Sequence, residues 1–96
     1  MDILINTGGK VVHEYFSEEL HFELFSMNEV RNHKLLRNIK DYYLTDFTMS
    51  PEAVCVMVRE LNFLKRNKNF KNEVELDLLL AVLGQDNVLS VRFSGD

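Results

Sequence analysis

The chain has 96 residues, 46% hydrophobic and 27% charged, with 11 Lys and Arg against 15 Asp and Glu for a formal charge of -4. That balance excludes a disordered tail and a generally basic nucleic-acid binder. Four Gly, one Pro and the single Cys55 exclude a collagen-like chain and a disulfide scaffold, and the length predicts one domain over residues 1–96.

Residues 2–6 and 10–16 are rich in β-branched and aromatic side chains and flank Gly8-Gly9, a pair that permits a tight turn. They predict a β-hairpin. In residues 20–25, Leu20, Phe22 and Leu24 alternate with His21 and Glu23, which predicts a third strand after a turn at 17–19. The competing reading is a helix over 17–27, on the spacing of Leu20, Leu24 and Met27. From Asn28, the residues Leu35, Leu36, Ile39, Tyr42 and Tyr43 recur at three and four, predicting a helix to Tyr43 or Leu44 and then a loop over 45–49.

Ser50-Pro51-Glu52 combines an N-cap, a proline at the first helical position and a first-turn acid. The helix it opens carries Val54, Met57, Val58, Leu61 and Leu64 on one face and ends in the cations of 65–68. Asn72 and Gly84 bracket a third helix, apolar on so much of its girth that it is expected to be central to the core. Leu89, Val91 and Phe93 predict a last strand within 87–93. Strands first, then helices, then a returning strand define an α+β domain. Its small antiparallel sheet is the hairpin, a third strand and the C-terminal strand, packed on three helices.

No arrangement of reactive groups names a chemistry. Gly8-Gly9 lacks the spacing of a phosphate loop, and His13-Glu14 lacks the second histidine of a zinc-protease motif because Ser17 stands in its place. His13, His21 and Glu23 could meet only if 10–16 and 20–25 were neighbouring strands, and this is the sole enzyme-like grouping. Cys55 has no local base or positive field and reads as a buried, inert thiol. The expectation is a non-enzyme without cofactor or metal. With no basic-then-apolar leader and no run of about 20 apolar residues, it is expected in the cytoplasm, away from membranes.

The charge is segregated. Residues 1–28 sum to -4, 29–41 to +2, 42–58 to -2, 59–71 to +4 and 72–96 to -4. Carboxylates at Glu14, Glu18, Glu19, Glu23, Glu73, Glu75 and Asp77 form two acidic ends. An acidic surface steers and docks basic partners. In size and charge balance the chain looks like small bacterial inhibitor, antitoxin or immunity proteins, which cover a basic toxin or nuclease with carboxylates. The alternative is a small nucleic-acid-binding or regulatory domain. It would use the basic patch Arg59, Lys65, Arg66, Lys68 and Lys71, with Arg31, Lys34, Arg37 and Lys40 as a second basic stretch.

Overall fold

The computed structural model describes residues 1–95. Its first two strands, β1 (Asp2–Asn6) and β2 (Val11–Tyr15), form the expected hairpin. Gly8 takes a positive φ of 88°, and its N–H is held by Asn6 Oδ1 at 2.9 Å. A side chain at this position would be strained, so the turn requires glycine.

Residues 20–25 are helical. Helix α1 (Glu18–Phe25) starts at Ser17, whose hydroxyl accepts the Leu20 N–H at 3.1 Å. Ser17-Glu18-Glu19 is therefore a cap followed by two first-turn acids, and not a turn between strands. Leu20, His21 and Leu24 are buried while Phe22 points to solvent, which settles the ambiguous spacing in favour of the helix.

The α-helix expected over 28–43 is absent. Two short 3-10 helices, Asn28–Asn32 and Leu36–Ile39, stand there, separated at His33 by extended backbone (φ -107°, ψ 102°). Leu36 and Ile39 are buried three apart, the repeat of a 3-10 helix, and Tyr42 is buried in the turn that follows. The supposed loop 45–49 supplies the missing third strand, β3 (Asp46–Met49), which alternates half-buried Phe47 and buried Met49 with exposed Asp46 and Thr48.

Ser50 caps helix α2 (Pro51–Asn67) through Ala53 N–H, and α2 buries Val54, Met57, Leu61 and Leu64. Helix α3 (Glu73–Leu83) buries only Leu76, Leu79 and Leu83, and leaves Val74 and Leu78 exposed. Part of its apolar surface thus reaches water, while Leu76, Leu79 and Leu83 join the core with Leu80 and Val82 packed against it. The last strand, β4, spans Ser90–Ser94. Within it Val91 and Phe93 are buried and Arg92 is exposed, whereas Leu89 lies outside the strand and is exposed.

The four strands make one antiparallel sheet in the order β2-β1-β4-β3. Ile3, Ile5, Val91, Phe93 and Met49 bring one face to the core, by the registers Ile3–Phe93, Ile5–Val91 and Met49–Val91. Alternation places His13, Leu4, Arg92 and Thr48 in a row across the other face. The molecule is an α+β fold of a four-stranded sheet and three helices, although the third strand and the first helix are not the segments that periodicity alone selects. Among the described residues, no helix is long and apolar enough to cross a membrane.

Candidate functional site

Helix α1 lies against the start of α3, and two carboxylates bind the helices together. Glu75 on α3 accepts the Ser17 N–H at 2.9 Å and the Ser17 hydroxyl at 2.5 Å. The hydroxyl gives its proton to Glu75 while its oxygen accepts from Leu20, so one serine caps α1 and is itself fixed. In return, Glu23 on α1 accepts the Lys71 and Asn72 N–H groups and the Asn72 side-chain amide. Asn72 makes no side-chain capping bond of its own. The helix start expected to be capped locally is capped by a residue 49 positions away. Partial burial pushes the Glu23 carboxyl up, but these hydrogen bonds and the Lys71 charge outweigh it and hold its pKa below the ordinary value.

Two more of the seven candidate carboxylates are engaged. Glu18 accepts the Tyr43 hydroxyl, and Asp77 pairs with Lys65. Glu14, Glu19 and Glu73 are exposed and make no hydrogen bond or ion pair among the described residues. Beside them stand apolar side chains in water. Phe22 on α1 and Val74 on α3 are each 76% exposed, and Leu78 on α3 is 63% exposed. Leu78 and Glu14 line one groove between α3 and the edge strand β2, together with Glu75 and Val82. The candidate docking face thus combines exposed apolar side chains on two adjacent helices with three exposed acids that make no ion pair among the described residues. The acidic residues were visible in the sequence, but the exposure of Phe22, Val74 and Leu78 was not. Leu78 belongs to a helix whose apolar girth suggested a place central to the core.

The basic patch is less open than its composition suggests. Lys65 pairs with Asp77 and Lys68 with Glu29, while Lys71 faces Glu23. Arg59 and Arg66 are exposed without an ion pair among the described residues. The start of α3, where a groove-binding helix would meet phosphate, already holds Glu23.

The histidines lie on separate elements. His13 Nε2 on β2 is 2.8 Å from Asp2 Oδ1, whereas His33 Nδ1 is 4.0 Å from Glu60 Oε2. His21 is buried among the rings of Phe16, Phe25 and Tyr42, and its Nε2 meets Ile39 O at 2.8 Å. Burial lowers its pKa against the opposing pull of that carbonyl. His13 and His21 do not face each other across a hairpin, because 20–25 is a helix, and Glu23 is committed to α3. No group of three or more His, Cys, Asp or Glu among the described residues is arranged to hold a metal. Cys55 is exposed on α2 and not buried as expected, since it lies off the Val54–Met57–Leu61 face.

No protein-family model, curated protein or solved structure matches this chain.

Proposed function

We propose that the protein is a non-catalytic protein-binding module of the inhibitor or immunity type. Its α1–α3 face docks a basic partner such as a toxin nuclease in a bacterial cytoplasm. The observation that carries this reading is the exposure of Phe22, Val74 and Leu78 on the two helices that also carry exposed Glu19 and Glu73, with Glu14 lining the groove beside Leu78. Apolar anchors inside an acidic rim are what a basic protein surface complements, and the rim charges accelerate its approach. The nucleic-acid alternative has weaker support. Three of the five cations of the 59–71 patch already face carboxylates, and an acid caps α3.

The test is a cross-linked pull-down from the source cell, followed by reconstitution with the purified partner. The expected result is one basic protein whose association rate falls as salt rises. The pair Phe22→Ala and Leu78→Ala should weaken binding by roughly tenfold or more. Binding unchanged by that pair, or a partner indifferent to salt, overturns the reading.

A further inference from the structure

A second set of charges has a different character. Arg31, Lys34, Arg37 and Lys40 are all exposed, and none makes an ion pair among the described residues. The carboxylates near them are turned to other partners. Glu29 pairs with Lys68 at 2.5 Å. Glu60 reaches across from α2 and accepts the Leu36 N–H at 3.1 Å and the Leu35 N–H at 3.4 Å. Asp41 accepts the Tyr43 and Leu44 N–H groups at 3.0 and 2.9 Å. Asp41 keeps its negative charge and lines a neighbouring cleft with Arg37 and Lys40, but none of the four cations is in ion-pair contact with an acid among the described residues.

Three of these cations share one cleft. Arg31, Arg37 and Lys40 line a space of about 220 Å³ together with Phe25, Met27 and Val30, and no carboxylate lines it. Phe25 and Met27 are half-buried, so the cleft also offers an apolar wall. Arg31 comes from the first 3-10 helix and Arg37 from the second. The second is pinned by Glu60 and by buried Leu36 and Ile39, so its cation stands on a fixed support. Like charges gathered in one cleft repel, and an anion there relieves all three at once.

We propose that this cleft binds the phosphate of a small phosphomonoester, with its organic part against Phe25 and Met27. Two guanidinium forks match phosphate oxygens in paired hydrogen bonds, and an ammonium adds a point charge. Three cations suit a dianion better than a singly charged carboxylate. The convergence of three cations on one small cleft fits a small ligand, because a nucleic-acid strand is met by cations spread along a track. The proposal uses no residue of the α1–α3 docking face, so the two readings stand or fall separately.

The test is a titration of ¹⁵N-labelled protein, read amide by amide, with inorganic phosphate and with a nucleoside 5′-monophosphate. The unphosphorylated nucleoside and sodium chloride of equal ionic strength serve as controls. The expected result is saturable shifts confined to residues 25–40, with a Kd on the order of 1 mM or below for the monophosphate. Binding should be weaker for phosphate and absent for the nucleoside. Arg31→Gln combined with Arg37→Gln should weaken binding at least about tenfold. Lys40→Gln provides a milder variant should the double change disturb folding. Shifts that fail to saturate, that sodium chloride reproduces, or that survive both variants overturn the proposal. So does tighter binding of a single-stranded oligonucleotide with shifts spreading to Arg59 and Arg66, which would assign the segment to nucleic acid.

Discussion

The acids of α1 and α3 and the cations of residues 31–40 are both surface clusters, yet they stand in opposite states. Four of the seven acids are engaged in internal hydrogen bonds or ion pairs, whereas the four cations make no ion pair among the described residues. A count of charges cannot distinguish these cases. An acid next to a helix start far away in sequence becomes part of the framework, while the four cations stay exposed and out of ion-pair contact among the described residues. The local acidity of the sequence thus overstates what the acidic ends can offer a partner. The net charge of +2 over 29–41 understates the four exposed cations that segment can offer.

The sharpest way to break this contrast is to remove an engaged acid. Glu60 on α2 is one such acid, with its side chain 11% exposed. Glu60→Ala strands two backbone N–H groups and should cost about 2–3 kcal/mol, lowering Tm by roughly 10–20 °C in a domain of this size. Chemical denaturation checks the first figure and calorimetry the second. Stability within error of the parent chain would show that water replaces the carboxylate without loss.

Glu23→Ala removes the cap of α3 and Glu75→Ala removes the acceptor that holds the capping Ser17 of α1, and each should cost about 1 kcal/mol. Because both carboxylates bridge α1 to α3, the double variant should depart from additivity in a double-mutant cycle. Independent losses would mean that the two helix starts are not coupled.

Acidification probes the same contrast without mutation, because it titrates carboxylates and histidine and leaves guanidinium charged. His21 has a lowered pKa in the folded chain, so below the ordinary value of 6.5 the unfolded chain takes up a proton that the folded chain resists. Stability should fall as pH drops below about 6.5 and level off once the folded pKa is passed. His21→Gln should flatten that slope in denaturation midpoints measured across this range. Glu23 has the opposite ionisation. Its depressed pKa contributes stability present above the ordinary value of 4.5 and lost as pH falls through the folded pKa. A second decline should therefore appear there, and Glu23→Gln should remove it.

The smallest effect is expected from the unengaged charges. Glu14, Glu19 and Glu73 changed singly to Gln should each leave stability within about 0.5 kcal/mol of the parent chain. A larger loss would reveal a structural role for one of these acids.

The sequence made part of this visible. Ser50-Pro51 placed α2, and Gly8 with its flanking strands placed the hairpin, because those signals are local and chemical. The 20–25 segment misled because Leu20, Phe22 and Leu24 satisfy a period of two, while Leu20 and Leu24 also satisfy a helix. Ser17, the residue that decides between them, resembles any turn serine until its hydroxyl is seen on Leu20 N–H. The 28–43 segment misled because spacings of three fit both kinds of helix. For the candidate docking face, Glu19 and Glu73 could be read as acids. That Glu23 serves a helix start at Asn72 could not, since nothing local connects them.

One feature of the sheet bears on how the chain comes together. Strand β4 is the last to be synthesised, yet it lies between β1 and β3. Until it arrives, the hairpin and β3 share no ladder, and each shows an unpaired edge. A nascent chain stopped before residue 90 therefore holds a hairpin and an orphan strand, not a sheet one strand short. Closure of the sheet waits on residues 90–94 leaving the ribosome. Assembly is set by this distant pairing, which belongs to the slower class of folding events.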